Sequence, residues 1–369
     1  MSILLINIKN KIVKGVSISA APTSQRDKTV SWINIAKGIA MLSVILTHVG
    51  LIPWTQYLHT FMLPLFAILS GYLIPTSTPT WSSFLTKKGL RLLVPYFFIG
   101  LISLLYWQIF LHNLPVFSEF IQPTSDLVLA LLTGHDIVFN GPLWYLLALF
   151  LAFIWWRMSA WANRHTAELS FIFLISGYVF SRLIGERRLY VALPLSLFLA
   201  GYLHLGYLLK KNQVYLMKIP VWAAVLTFVI VTSINGSVNF YALTLGNPVF
   251  FFLGSLSGSL IVIHLSTALQ NYLHTPAARF CSYCGERSLA LLLWHWPLLL
   301  TLNALLSIYG IFAFFGGTPS LVHCSLPPRT DPLSLFVRSI FFIVYFNWAV
   351  LGSLILDFIF RKRRYLARI

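Results

Sequence analysis

This sequence predicts an all-α protein, a polytopic membrane helical bundle of about ten transmembrane helices with both termini cytoplasmic. Three observations carry that reading. Of its 369 residues 58% are hydrophobic and only 9% are charged, where a soluble domain carries roughly a quarter charged residues. The apolar residues gather into runs of the length a membrane span needs, about 20 residues. The cations, finally, fall on one side of those runs. With both ends inside, all 26 Lys and Arg residues except Arg182, Arg187, Arg188, Arg329 and Arg338 lie on the inner side, as the positive-inside bias requires.

The runs follow in order. The first, 33–53, carries Lys37 near its start and His48 near its end. The second, 58–75, holds Pro64 and Gly71, suited to a bend and a close contact. The third, 90–111, opens with Arg91 and includes Pro95. A loop at 112–140 contains "LVLALLTG", too short to cross. The fourth run, 141–157, begins "GPLWY". The fifth to seventh are 168–184, 189–209 and 219–235. The eighth, 246–265, contains "GSLSG", Gly254 to Gly258, a small-residue step for close helix packing. The ninth, 288–310, sets His295 between Trp294 and Trp296. A Gly- and Pro-rich loop, 311–332, precedes the tenth, 333–360.

Three regions result: a cytoplasmic tail, 1–30, a membrane domain, 31–360, and a basic tail, 361–369, that anchors to the inner surface. Residues 1–20 read equally as a basic amphipathic helix or as disorder. Lys9, Lys11 and Lys14 interrupt what would be the apolar part of a signal peptide. The net charge of +17 follows from the inner-loop bias and argues for no nucleic-acid partner. Three cysteines give no disulfide framework. Cys281 and Cys284 in "CSYC" have metal-like spacing but no second ligand pair, and a structural zinc site needs four ligands; no metal is expected.

A span needs neither a lysine nor a histidine. Lys37 and His48 are eleven residues apart, about three turns and about 16 Å along one helix face. Ionisable groups inside a membrane usually mark a functional site. The plainer reading has Lys37 snorkelling to headgroups and His48 hydrogen-bonded to a neighbouring helix. A neutral imidazole in the span is also a proton acceptor, as a general base must be.

"WINIAKGIAMLSVILTH", with its cation, ten intervening residues and His, resembles the opening signature of the type 3 acyltransferases, integral membrane enzymes. The usual Asp of that signature is Asn34 here. "MLPLFAILSGYL", "KKGLRLLVPYFF", "GPLWYLLALF" and "CGERSLALLLWHWPLLL" are similar to later family segments, in the same order, over about residues 31 to 360. Where many members have His before Met-Pro-Leu, this chain has Met62. His59, one turn earlier, either replaces it or that histidine is dispensable, and the second is preferred.

The resemblance implies acyl transfer, usually of acetyl from cytoplasmic acetyl-CoA, to a hydroxyl of a cell-envelope or lipid-linked glycan, in a bacterial cytoplasmic membrane. His48 and Lys37 become the catalytic candidates, with His48 either a base or a transient acyl carrier. Lys37, Lys87, Lys88 and Arg91 are placed to meet the CoA phosphates. Trp144, Tyr145 and His295 are the expected substrate contacts. The alternative is a transporter or flippase for a glycan intermediate, although no internal repeat supports it. A non-catalytic scaffold or sensor is a third.

Overall fold

The computed structural model describes residues 23–50, 53–75, 80–120, 122–135, 137–159, 165–184, 192–211, 218–309, 311, 318–319, 324–325 and 332–366. The expectation for residues 1–20 lies outside them. The fold is all-α. Among the described residues twelve α-helices run α1 Thr23–Val49, α2 Met62–Tyr72, α3 Trp81–Tyr106, α4 Thr124–Thr133, α5 Trp144–Met158, α6 Thr166–Ile184, α7 Ala192–Lys211, α8 Val221–Asn235, α9 Pro248–Leu269, α10 Pro276–Glu286, α11 Ser288–Ile308 and α12 Pro332–Leu366. A two-residue antiparallel ladder pairs Thr318–Pro319 with Cys324–Ser325.

Several helix starts follow from local chemistry. Thr80, Asn247 and Thr275 each accept backbone N–H bonds as N-caps, and Pro248 and Pro276 occupy the first turn, where a missing N–H costs nothing. Among the described residues eight stretches are long and apolar enough to cross a membrane, and Tyr57–Tyr72 and Val221–Asn235 are shorter apolar helices. Together they occupy the ten predicted positions. One long stretch, Thr124–Met158, is broken rather than continuous. Gly134, at φ 76°, caps α4 in the left-handed region, and a 3-10 segment, Val138–Leu143, follows before α5.

The core is built by packing α6, α5 and α2 against α7, α8 against α9, α11 against α12, and α10 along α1. The last pair is unusually close. A Cβ on Gly285 would sit 1.7 Å from the Asn34 carbonyl oxygen, and one on Gly38 would sit 1.9 Å from that of Cys281. Only glycine on both helices lets the two backbones meet. Beside this crossing the Asn34 amide donates to Glu286 at 3.4 Å. The usual family Asp would instead place two carboxylates side by side. In "GSLSG", Gly254 and Gly258 lie against Thr60 and Phe61, where a Cβ would come within 2.9 and 2.7 Å, so the small-residue step packs as expected. At the mouth of α11, Arg287 donates to Asp357 of α12 at 2.6 Å, and Arg361 reaches the same carboxylate at 2.9 Å.

Candidate active site

His48 lies in the last turn of α1, facing α11. Its Nδ1 is 2.9 Å from Nε2 of His295. The ring planes are within 2° of parallel with centroids 5.2 Å apart, so the rings meet end to end in one plane. Nδ1 of His295 is in turn 2.6 Å from the carbonyl oxygen of Leu291, one turn back on α11.

That chain fixes the protons. A carbonyl only accepts, so His295 carries its proton on Nδ1 and donates it to Leu291. With both rings neutral, His295 Nε2 must then accept, and His48 donates from Nδ1. In that tautomer the lone pair of His48 is on Nε2, the accepting nitrogen of the neutral ring. Trp296 meets the His48 ring edge-on, with centroids 5.2 Å apart, and its indole N–H donates to Val138 at 3.0 Å. Gly141 makes room for that indole, since a Cβ there would come within 3.0 Å of it.

The segment that brings Val138 and Gly141 here is held by a residue the sequence reading passed over. Pro297 lies inside α11. Without an N–H it leaves the carbonyl of Leu293, four residues back, without its helical partner. The amide of Asn140 supplies one, donating to Leu293 at 2.9 Å and also to Ser103 at 3.1 Å. Asn140 is fully buried, so an unpaired carbonyl at this depth is avoided and the 3-10 segment is pinned to α11 and α3 at once.

A cavity of about 400 Å³ opens beside the pair, bordered by His48, Trp144, Tyr145 and Trp296. The predicted substrate residues Trp144 and Tyr145 are therefore on its wall. His295 is not. It is fully buried behind His48, touching the other histidine rather than the cavity. His59, the candidate to replace the family histidine absent at Met62, borders the cavity.

The basic residues form a separate group. Lys37 of α1 lies near enough to Arg91 of α3 for their charges to repel, and Lys88 feels both. Lys88 also stands 3.5 Å from the centroid of the Phe153 ring, a cation–π contact. Lys87 is exposed, and no hydrogen bond, ion pair or ring contact ties it to the others among the described residues. On α1 the described cavity lining stops at Val44, roughly 10 Å along the helix from Lys37. The structure thus collects Lys37, Lys88 and Arg91 at one end of the α1 face, and His48, Trp144 and Tyr145 at the other.

Among the described residues no three His, Cys, Asp or Glu side chains converge as metal ligands. Cys281 and Cys284 are free thiols on α10. Burial first, and the neighbouring Cys281 second, push Cys284 up to about 12, which makes it a poor nucleophile.

A bundle of helices long and apolar enough to cross a membrane, with a histidine pair beside an aromatic cavity, defines a class of protein, an integral membrane protein with a cavity inside its helical bundle. A family model described as an acyltransferase domain matches residues 30–362, nearly the whole chain. The chain belongs to this type 3 acyltransferase family and is an integral membrane acyltransferase, with an acyl donor and an acceptor as its substrates. No curated protein and no solved structure matches it.

Proposed function

We propose that this acyltransferase moves an acetyl group from cytoplasmic acetyl-CoA to a hydroxyl of a cell-envelope or exported glycan, in a bacterial cytoplasmic membrane and with both termini cytoplasmic. The observation that carries the reading is the His48–His295 pair, with its proton-accepting nitrogen on a ring that borders a cavity. In the proposed step His48 Nε2 takes the proton of the acceptor hydroxyl as that oxygen attacks the thioester carbonyl. The carbon–sulfur bond breaks, the ester forms, and CoA leaves as a thiolate that recovers the proton from His48. While His48 is an imidazolium, its Nδ1–H is donated to neutral His295, a charge-assisted bond that steadies the cation. The proposal favours direct transfer over an acyl-His48 intermediate, because this pair presents His48 as a base.

The Lys37, Lys88 and Arg91 group suits the phosphates of the donor, and the charge asymmetry of the loops supports its position at the cytoplasmic face. Acetyl-CoA incubated with the purified protein and a glycan hydroxyl should release thiol in step with ester formed. No acceptor-dependent thiol release would refute the proposed donor and acceptor. Reporter fusions at the C-terminus should report the cytoplasm, and an external C-terminus would overturn the orientation.

The donor site makes its own prediction. Arg91→Glu should raise the KM for acetyl-CoA by roughly tenfold or more, since a charge-assisted contact contributes about 1.5–3 kcal/mol. The KM for the acceptor should stay near wild type. An unchanged donor KM in a folded Arg91→Glu protein would leave Arg91 as a lipid anchor.

A further inference from the structure

The segment 236–247 joins α8 to α9, and it is pinned far more firmly than a connection between two helices requires. Asn239 and Thr244 exchange both backbone hydrogen bonds, at 3.0 and 3.1 Å. The Asn239 side-chain oxygen accepts from Ala242 at 3.0 Å. Asn235, at the end of α8, clamps the returning strand, donating to the Leu245 carbonyl at 3.0 Å and accepting from the Asn247 N–H at 2.7 Å. Gly246 takes φ 67° there, and a Cβ on it would fall 2.4 Å from the Asn235 oxygen. Phe240 is buried and packs 5.8 Å from Phe198 and 5.7 Å from Phe251, centroid to centroid.

The effect of this bracing is to fix three consecutive residues, Asn239, Phe240 and Tyr241, as a wall of the His48 cavity. The Tyr241 ring lies 5.7 Å from that of Trp144, inclined at 44°, so two aromatic faces meet at one side. Tyr145 adds a second observation. Its hydroxyl is buried and has no hydrogen-bond partner among the described residues, on a side chain that borders the same cavity. A buried hydroxyl in that condition is costly until something supplies a partner. Asn239 commits its oxygen to Ala242, which leaves its amide N–H groups as donors. None of the described lining residues is Asp, Glu, Lys or Arg.

We infer that the segment 236–247 is the acceptor-selecting wall of the cavity and that it takes an uncharged sugar ring. The apolar face of the ring lies against Trp144 and Tyr241, and its hydroxyls meet the Asn239 amide and the Tyr145 hydroxyl. An alkyl alcohol would fill the aromatic part of the cavity but leave the Tyr145 hydroxyl unpartnered. A charged acceptor would be desolvated with no opposite charge among the described lining residues. The inference rests on the acyl-transfer reading.

The test uses the full-length protein in lipid nanodiscs with acetyl-CoA. The acceptor probes are methyl β-glucopyranoside, methyl β-galactopyranoside, the methyl glycoside of N-acetylglucosamine, and 1-octanol. Thiol release and ester formation are both followed. Wild type should acetylate at least one glycoside in preference to octanol. Tyr241→Ala should raise the KM for that glycoside by roughly tenfold, the size of a lost aromatic contact. Asn239→Asp keeps the oxygen that holds Ala242 and removes the donor, and it should also raise the acceptor KM. The KM for acetyl-CoA should not move in either variant. Preference for octanol, or an unchanged acceptor KM in Tyr241→Ala, would overturn the inference and leave the acyl-transfer reading standing. Equal shifts in donor and acceptor KM would also overturn it, by reducing the segment to a structural brace. No thiol release by wild type with any probe would instead refute the acyl-transfer reading, and the inference with it.

Discussion

His48→Ala is expected to lower acyl transfer by roughly 10²–10⁴-fold, the usual contribution of a positioned general base, while the protein still inserts and folds. The loss falls on the chemical step because, in the proposed reaction, His48 Nε2 takes the hydroxyl proton, with the tautomers set by the contacts to His295 and Leu291. Gln at 48 should fail nearly as badly, since it hydrogen-bonds without being basic. His295 separates geometry from chemistry. In His295→Gln the side-chain oxygen can still accept from His48 Nδ1–H, so part of kcat should survive. In His295→Leu that acceptor is gone, His48 is free to change tautomer, and kcat should fall toward the His48→Ala level with the donor KM unchanged. The measurement is steady-state transfer at equal amounts of folded protein. Near-normal kcat in His48→Ala would return His48 to a packing role.

Gly285→Ala is expected to cost about 3 kcal/mol or more of stability, at or beyond the upper end for overpacking a core. The added methyl would overlap the Asn34 carbonyl oxygen at 1.7 Å, and the Gly38 nitrogen lies 2.9 Å away. Both neighbours are main chain, so neither can swing aside as a side-chain tip would. Either α10 separates from α1 or the fold is lost. Asn34 is one turn from Lys37, so any surviving protein should also bind the donor less well. Gly89→Ala is the control. It lies on α3 beside the same basic group, yet its Cβ would meet only a Phe150 ring atom at 4.0 Å. Thermal unfolding in detergent should show a large loss for Gly285→Ala and almost none for Gly89→Ala. Equal stability of the two would show that the crossing can open at little cost.

Hydropathy made the order of the helices legible, because lipid-facing and core-facing residues of a bundle are both apolar and each run reports itself locally. The shared face of Lys37 and His48 was legible for the same reason, since spacing within one helix is fixed by its pitch. The pairing of His48 with His295 was not. It joins residues 247 positions apart, and nothing in either helix says that α11 is the neighbour of α1. His295 therefore read as a substrate contact. Asn140 was hidden in a different way. Pro297 announces a freed carbonyl at Leu293, but the donor that answers it comes from a loop before α5, and any buried amide would have served. Tyr241 and Asn239 sit in a connection of ordinary turn composition, and only the fold shows that the connection turns inward to the cavity. The break at Gly134 was legible, since "LVLALLTG" read as too short to cross and the next run began at 141, but hydropathy alone did not show that this short segment is itself a helix, Thr124–Thr133.

The central claim is that the His48–His295 pair drives acyl transfer to a glycan hydroxyl. The most direct measurement is mass spectrometry of envelope polysaccharides from cells lacking the protein, cells carrying wild type, and cells carrying His48→Ala at matched membrane levels. The account predicts one or more sugar residues heavier by an acetyl group with wild type only, lost on mild alkali treatment as an ester must be. Acetylated glycan at wild-type levels in the His48→Ala cells would contradict it.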